Sequence, residues 1–300
     1  MKRHKICKII FAILAVFLCV AFYELIGICI TYKKQPAVSD ATIKETQNIM
    51  SVAGRENTER AVIIEKNSQA LLERVRLIQN AKDEIILSTF AFKSDESGKL
   101  ILGALHDAAD RGVHVRILVD GMESWIDMEG NPYFYGLSSH ENVEIKLYNK
   151  ANPLKPWKTM GRMHDKYLIA DGKIYILGGR NTYNYFLGDF PGHKNFDRDV
   201  LVVCDEPQKD NSVNQLWNYF ETIWEQEDCR YFHNSKKLAD RQSVKKAVLE
   251  LQEGYQQYFE VNKEKICDKD YADETFETEK ITLLSNPIHT QAKEPVVWYQ

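Results

Sequence analysis

The sequence predicts a layered α/β/α fold with a mixed sheet, preceded by one N-terminal transmembrane helix. Residues 61–119 alternate short apolar runs with stripes of apolar residues at helical spacing. Residues 163–178 contain two apolar-rich runs around residues 171–172, Asp-Gly, which is a strong hairpin signal. Residues 9–32 are apolar apart from Glu24. Strands that alternate with helices at this spacing form a sheet with helices packed over it.

The N-terminal apolar run is long enough to cross a membrane. As a helix, residues 9–32 would reach about 36 Å, and the hydrocarbon core of a bilayer is about 30 Å thick. Glu24 lies near the far end, where it can lean toward the interface. A cleaved signal peptide is the alternative, but no small-x-small cleavage site follows the run. More basic residues precede the run than follow it, which predicts a cytoplasmic N-terminus and a globular domain outside.

The globular part follows a polar segment, residues 35–60, whose mixed charge is typical of a linker. Apolar periodicity then predicts six elements before the hairpin, with an irregular loop containing a short helix at 122–142. Gly112 is a plausible C-cap for the second of the helices. The predicted elements are a strand at 61–65, a helix at 69–81, a strand at 84–92, a helix at 100–108 and strands at 113–119 and 143–148.

The chain after the hairpin continues with a strand that runs to Cys204 and with amphipathic helices at 213–224 and 243–262. The last twenty residues read as a strand at Ile281–Leu284, a turn and the start of a helix over 294–300. This order echoes residues 61–81, so we interpret it as the start of a second, incomplete repeat. The predicted organisation is an anchor at 1–34, a linker at 35–60, a domain at 61–262, a charged connector at 263–280 and the partial repeat at 281–300.

The hairpin gathers polar groups at one end. Side chains alternate between faces along a strand, so His164 and Lys166 are expected to share a face. A two-residue turn would put Gly179 opposite His164, where the missing side chain leaves room for a ligand against the backbone. Asn181 would then lie just past the strand end on the same side. The hairpin would bring together an imidazole, an ammonium group and an amide.

These groups suit chemistry at phosphorus. A neutral imidazole such as that of His164 can attack phosphorus and form a covalent intermediate. Lys166 can neutralise one phosphate oxygen, and Asn181 can donate a hydrogen bond to a second. Asp171 lies too far along the strand from His164 to join them. We therefore expect Asp171 to shape the turn rather than contact substrate.

The pattern His-x-Lys-x4-Asp-x6-Gly-Gly-x-Asn resembles the signature of the phospholipase D superfamily. Its positions are His164, Lys166, Asp171, Gly178, Gly179 and Asn181, and the spacing does not depart from the family's. A surface hairpin that carries His and Lys by chance is the alternative, but the number of fixed positions makes the pattern specific. The resemblance covers roughly residues 60–230. It implies a phospholipase D-like fold, a phosphohistidine intermediate and catalysis without a metal or other cofactor.

The resemblance also implies an acidic partner for the histidine, in the strand that begins after the Asn-Phe-Asp-Arg-Asp run at 195–199. A carboxylate there would fix the imidazole tautomer and stabilise the imidazolium. Asp197 is the first choice and Asp199 the second, since both point to the same face. A surface ion pair between Asp197 and Arg198 is the structural alternative. The membrane anchor and this Asp-Arg-Asp run make the bacterial cardiolipin synthase-like branch the closest resemblance.

Phospholipase D-like sites use two His-x-Lys motifs, one histidine attacking and the other protonating the leaving group. The remaining histidines lack a lysine two residues later: His4, His106, His114, His140, His193, His233 and His289. Two copies could pair their sites as a homodimer, as the small single-motif nucleases of the superfamily do. Otherwise the chain is the front half of a two-motif enzyme and needs a complementary second half. The partial repeat at 281–300 favours the second interpretation.

Two surface features leave alternatives open. The basic residues that lead into the hairpin could form a positive rim for an anionic phosphodiester or an ordinary solvated loop. The aromatic residues around the hairpin could form a lipid-facing lip or cover the core. The basic set is Lys150, Lys155, Lys158 and Arg162, and the aromatic set is Trp157, Tyr183, Tyr185, Phe186 and Phe190.

The function expected from the resemblance is that of a phosphodiesterase or phosphatidyltransferase acting on phospholipids at a membrane. The formal net charge of −4 argues against a general nucleic-acid binder, because such domains are usually basic. Cys204, Cys229 and Cys267 show neither metal-ligand spacing nor an even disulfide framework. The alternatives are a dimeric nuclease-like phosphodiesterase and an inactive, truncated membrane protein.

Overall fold

A computed structural model of the chain describes residues 2–33, 59–150, 152–158, 161–233, 235–267 and 270–285, with isolated positions at 40, 43, 44 and 47. The described residues divide into two compact units. One unit contains the N-terminal helix and the segment before the hairpin, and the other contains the sheet and its helices.

The first unit is built on helix α1, Lys2–Lys33. Within it, Lys5–Cys29 has a mean hydropathy of 2.7 and is long and apolar enough to cross a membrane, a property that signal sequences share. A single turn of 3₁₀ helix, Pro156–Lys158, packs against α1. The hydroxyl of Tyr23 donates to the carbonyl oxygen of Leu154 at 3.0 Å. Gly27 allows the close approach, because a Cβ there would lie 2.4 Å from Pro156 Cγ.

The second unit is organised around one mixed sheet of nine strands in the order β8-β4-β3-β2-β5-β6-β7-β1-β9. The pairs β2–β3 and β3–β4 are parallel and the other pairs are antiparallel. The strands are β1 Arg60–Ile64, β2 Glu84–Thr89, β3 His114–Asp120, β4 Val143–Tyr148, β5 Lys166–Ala170, β6 Ile174–Gly178, β7 Asp199–Val203, β8 Cys229–Tyr231 and β9 Phe276–Glu277.

Helices cover both faces of this sheet. On one face, a row of paired strand residues, Leu87, Leu168, Ile176 and Leu201, joins the core formed with α2, α3, α5 and α8. On the other face, α6 packs its tyrosine and tryptophan side chains toward β2 and β5. The helices of this unit are α2 Asn67–Asn80, α3 Glu96–Asp110, α4 Gly121–Asp127, α5 Pro132–Ser138, α6 Ser212–Trp224, α7 Lys236–Ala239, α8 Gln242–Cys267 and α9 Tyr271–Glu274.

Local capping explains where several helices begin. The Asp95 side chain accepts from the backbone N–H of Gly98 at the start of α3. Asp120 accepts from the N–H groups of Met122 and Glu123 and so turns β3 directly into α4. Asn131 caps α5 in the same way, with Pro132 at the first helical position. These caps make two short helices in a region predicted to be mostly an irregular loop.

The predicted layered fold with its mixed sheet and N-terminal apolar helix is confirmed. Apart from one strand near the C-terminus, the predicted strands and longer helices are present, with ends that differ by a few residues. The connector predicted at 263–280 is more ordered than expected: α8 extends to Cys267, and β9 pairs with β1 at the sheet edge. The strand predicted at Ile281–Leu284 is wrong, since these residues form no strand and Leu283 N–H instead donates to the Gln215 side chain. The helix predicted over 294–300 lies outside the described residues.

Candidate active site

The candidate site lies at one end of the central strands of the sheet. The register aligns Thr89 at the end of β2 with Lys166 at the start of β5. It also aligns Gly178 at the end of β6 with Asp199 at the start of β7. The β5–β6 register then continues to bring Lys166 beside Gly178. The parallel strands β2, β3 and β4 have their carboxyl ends here, and α/β sheets commonly bind ligands at this end.

His164 precedes β5 and is solvent-exposed. Its ring meets the Phe90 ring edge-on, with centroids 4.6 Å apart and planes at 65°. The prediction that Gly179 lies opposite His164 is wrong, because the turn has three residues rather than two. Ala170 pairs with Ile174, which shifts the register by one position. The imidazole is therefore held by a loop and an aromatic neighbour rather than by strand pairing.

Lys166 is buried at the start of β5. Its Nζ donates to the carbonyl oxygen of His164 at 2.7 Å and lies 5.3 Å from the centroid of the Phe90 ring. Burial lowers the pKa of Lys166 to about 8, against the charges of Asp165 and Asp197, which raise it. The ammonium group therefore binds the segment that carries the histidine and is poised to lose its proton in mildly alkaline solution.

Gly178 and Gly179 make room for two carboxylates. A Cβ on Gly179 would lie 2.0 Å from Oδ2 of Asp197, and one on Gly178 would lie 2.1 Å from Oδ1 of Asp199. The space that the sequence predicted at Gly179 is therefore present, but it is filled by the side chain of Asp197. Each glycine is needed because backbone and carboxylate approach more closely than a Cβ allows.

The two aspartates differ in their surroundings. Asp199 is buried and paired with two buried guanidinium groups, Arg74 at 2.9 Å and Arg180 at 3.3 Å. Asp197 is partly exposed, and its Oδ1 accepts from the N–H of Arg198. The Arg198 side chain instead pairs with Glu65 at 3.0 Å, so the predicted alternative of an Asp197–Arg198 side-chain pair is not found among the described contacts. Asp199 therefore ties the start of β7 to Arg74 and Arg180. Asp197 is left beside Lys166 and Gly179.

Asn181 is buried just past β6, and its Oδ1 accepts from the backbone N–H of Ala91 at 3.1 Å. This bond orients the amide so that its NH₂ group is the donor that remains for a ligand. Asp171 lies at the opposite end of the hairpin, with φ +52°. Its carboxylate accepts from the backbone N–H groups of residues 82–84, so it ties the turn to the start of β2.

Two contacts beneath the site were not predicted. The hydroxyl of Tyr219 on α6 donates to Oδ2 of Asp165 at 2.9 Å, between the histidine and the lysine of the motif. Burial raises the pKa of the Asp165 carboxyl. Asp120 accepts from the N–H of Met163 at 3.2 Å and so joins the end of β3 to the residue before His164. Asp165 could have been noticed by its position in the motif, but nothing local in the sequence identifies Tyr219 as its partner.

The aromatic residues near the hairpin mostly cover the core. Phe186 is buried, and Tyr183, Tyr185 and Phe190 are partly buried and packed against the core cluster. Trp157 belongs to the unit of α1. Of the two interpretations of this aromatic set, these contacts favour core packing for the four residues in the sheet unit. Lys155, Lys158 and Arg162 also belong to the unit of α1, so the basic rim stays a prediction.

Among the described residues, no group of three or more His, Cys, Asp or Glu side chains is arranged to hold a metal ion. The site instead offers an exposed imidazole, a buried ammonium, an amide donor and a carboxylate. This donor set fits an anionic, phosphorus-centred group.

Comparison with known proteins identifies the family of the chain. The family described as "Cardiolipin synthase, PLD-like domain" matches residues 75–224. An uncharacterized protein of Helicobacter pylori (strain ATCC 700392 / 26695) is 33% identical over 181 residues, which cover 56% of this chain and 35% of that protein. Cardiolipin synthase C of Escherichia coli (strain K12) is 29% identical over 154 residues, which cover 47% of this chain and 31% of that protein.

The solved structure of NucT from Helicobacter pylori aligns with a TM-score of 0.45 and 17% identity, over 58% of this chain and 99% of that one. The chain spans about a third of the length of the curated relatives given above. The family match covers half of the chain, and it includes β5, β6 and the residues from His164 to Asn181. The chain therefore belongs to the phospholipase D superfamily and is cardiolipin synthase-like.

Proposed function

We propose that this chain is a phosphodiesterase and phosphatidyltransferase that acts on phospholipids through a phosphohistidine formed on His164. The observation that carries the proposal is the pairing of an exposed imidazole with the buried Lys166 ammonium, whose Nζ holds the carbonyl of the same histidine. A cation fixed at this position attracts a phosphodiester anion to the nucleophile. Such preorganised charge is commonly the largest contribution to catalysis.

In the first step, a ring nitrogen of neutral His164 attacks phosphorus, a P–N bond forms and the P–O bond to the leaving alcohol breaks. Lys166 and the Asn181 amide bind the non-bridging oxygens, whose negative charge they stabilise. Asp197 holds the imidazole in one orientation and stabilises its positive charge. In the second step, water or an alcohol attacks the phosphohistidine, so that a P–O bond forms as the P–N bond breaks. The proton of the attacking hydroxyl passes to the group that protonated the first leaving alkoxide, His164 is released and the hydrolysis or transfer product forms.

The leaving alkoxide needs a proton, which a second His-x-Lys motif would supply. General acid catalysis of this kind is typically worth about 10²–10⁴ in rate. We propose that the second motif comes from a partner, either another copy of this chain in a homodimer or a complementary half.

The choice of a phospholipid substrate is supported by the apolar helix and the relatives. Lys5–Cys29 is suited to a bilayer by length and composition, and a cardiolipin synthase is among the similar proteins. The net charge of −4 disfavours a general DNA substrate. We propose a single-pass protein of the cell membrane, with a cytoplasmic N-terminus and the sheet unit outside.

The experiment separates the nucleophile from the proton donor. The full chain, in detergent micelles, is incubated with a phosphatidyl ester of p-nitrophenol, whose acidic phenol leaves without protonation. We expect release of nitrophenol and an acid-labile phosphatidyl group on His164. The corresponding alkyl ester should react about 10²–10⁴ times more slowly unless a second motif is added.

His164→Asn should abolish both signals, whereas His114→Asn should not. His114 is a matched control, since it lies at the start of β3, at the end of the strands opposite the candidate site. Nitrophenol release at the normal rate from His164→Asn, or cleavage of DNA in preference to phospholipid, would contradict the proposal.

A further inference from the structure

Three exposed apolar side chains belong to segments at the end of the sheet that carries the candidate site. Trp125 and Ile126, on α4, are 62% and 64% exposed, and Phe196, in the loop before β7, is 80% exposed. Adjacent exposed apolar side chains, such as Trp125 and Ile126, commonly mark a surface that contacts a protein or a membrane. The three are called the apolar rim below.

The strand order puts the rim on both sides of the catalytic motif. Across the sheet, β5 is the middle strand of the series β3-β2-β5-β6-β7. Helix α4, which carries Trp125 and Ile126, begins directly after β3, and Phe196 lies three residues before β7 begins. At about 4.8 Å per strand, β3 and β7 are roughly 19 Å apart. The rim therefore straddles the entrance to the site.

The backbone holds these side chains outward. On α4, Gly121 and Ser124 are buried, so the helix uses its other side for packing. In the loop, Asn195 N–H donates to the carbonyl of Tyr185, and the carbonyl of Asn195 accepts from the Asn67 side chain. These bonds fix the backbone next to Phe196. The exposure of the rim is thus built into ordered local structure.

We propose that the apolar rim inserts into the boundary between headgroups and acyl chains of a phospholipid bilayer and holds the site entrance against the membrane surface. The inference rests on the proposed phospholipid substrate. The phosphate of such a substrate lies at this depth of the bilayer, and tryptophan favours the same interface. Insertion on two sides of His164 would bring its ring to the headgroups without removing the lipid from the membrane.

Features of the same chain favour a bilayer as the occupant. Lys5–Cys29 has the length and composition of a membrane span. The 26 residues between Lys33 and Arg60 could reach at most roughly 90 Å even if fully extended. The sheet unit would therefore stay near the membrane surface, where even modest insertion energy is effective.

The test measures depth rather than turnover, so it can fail independently of the proposed function. The full chain, with Cys7, Cys19, Cys29 and Cys267 replaced by alanine, is labelled with a nitroxide at Ile126→Cys or Phe196→Cys. The remaining cysteines are buried. Matched controls carry the label at Leu249→Cys or Val261→Cys on α8, which are 58% and 84% exposed. Each protein is reconstituted into vesicles of phosphatidylglycerol and phosphatidylcholine.

Collision rates with oxygen, which concentrates in the bilayer, and with a water-soluble nickel chelate distinguish four outcomes. Insertion predicts high oxygen and low nickel accessibility at 126 and 196, with high nickel accessibility at 249 and 261. High nickel accessibility at all four positions would overturn the proposal. So would low accessibility to both reagents at 126 and 196, which indicates a covering protein such as a second copy. Insertion of the controls as well would indicate non-specific adsorption and would also overturn it.

A second measurement uses activity. The double variant Trp125→Ser with Ile126→Ser should lose roughly tenfold in nitrophenol release from substrate embedded in vesicles. It should keep its rate on a short-chain, water-soluble ester, whereas Leu249→Ser should change neither. Equal losses on both substrates would show that the rim affects the fold or the chemistry rather than membrane contact.

Discussion

The side chain of Asp197 occupies the space that Gly179 leaves open, and this contact gives a sharp prediction about catalysis. In Gly179→Ala, the new Cβ would lie 2.0 Å from Asp197 Oδ2 and 2.4 Å from its Cγ. Real Cβ atoms essentially never come closer than 3.0 Å, so the carboxylate must retreat by about 1 Å. A displacement of that size in a positioning group can cost about 10² in rate. We therefore expect kcat/KM to fall about 100-fold.

The fold should survive this substitution. Gly179 is not among the residues with positive φ, so alanine fits its backbone, and the free energy of unfolding should change by no more than about 1 kcal/mol. The assay is kcat/KM for the nitrophenyl ester, together with urea unfolding of the same protein. Gly254→Ala in α8 is the matched control, because its new Cβ meets no atom within 4 Å. It should keep full activity.

A double-mutant cycle identifies the cause. If Gly179→Ala acts by moving Asp197, it should add little to the loss already caused by Asp197→Asn. Full activity in a folded Gly179→Ala protein would refute the role given to Asp197, and so would simple additivity of the two losses.

Three further outcomes follow from the site. Asp199→Asn should lower the free energy of unfolding by about 3–5 kcal/mol, because Arg74 and Arg180 stay buried without their counter-ion. Asp197→Asn should leave urea unfolding nearly unchanged. Equal urea midpoints for the two variants would contradict the different roles given to the two aspartates. The pKa of Lys166 is lowered to about 8, so its ammonium form is present below that pH and kcat/KM should fall as pH rises through about 8. Asp165→Asn removes a charge that raises this pKa, so it should move the alkaline limb to lower pH, and an unmoved limb would exclude Lys166 as its source. Finally, EDTA treatment followed by Mg²⁺ or Zn²⁺ should leave nitrophenol release unchanged, and a loss that metal restores would contradict the metal-independent chemistry expected from the motif.

The fold was predictable because its signals are local. Alternating apolar runs and helical stripes identify β1 to β4 and helices α2 and α3, and Asp171-Gly172 identifies the hairpin. The edge strands β8 and β9 are only three and two residues long, too short for periodicity to show. They form because β4 and β1 offer open edges, which is a property of the assembled sheet.

The register of the hairpin could not be predicted for a related reason. Asp171 and Gly172 both have positive φ, as a tight two-residue turn would require, yet Lys173 is also part of the loop. The side chain of Asp171 accepts backbone N–H groups from residues 82–84, far away in the sequence. This contact fixes the turn from outside the hairpin, and a one-residue shift changes which residue faces which.

The choice between Asp197 and Asp199 shows where sequence reasoning about the site ends. Alternation along a strand gives both residues the same face, so the pattern alone ranks neither with certainty. The structure separates them by partners that lie far away in the sequence: Arg74 comes from α2, 125 residues earlier. A carboxylate buried between two guanidinium groups is held in place by them and serves the fold, whereas one that lies beside Lys166 and against a glycine can serve a reacting imidazole. The motif thus predicts the nucleophile and the cation of the proposed reaction, and the packing of α2 against the sheet favours Asp197 over Asp199 as their acid.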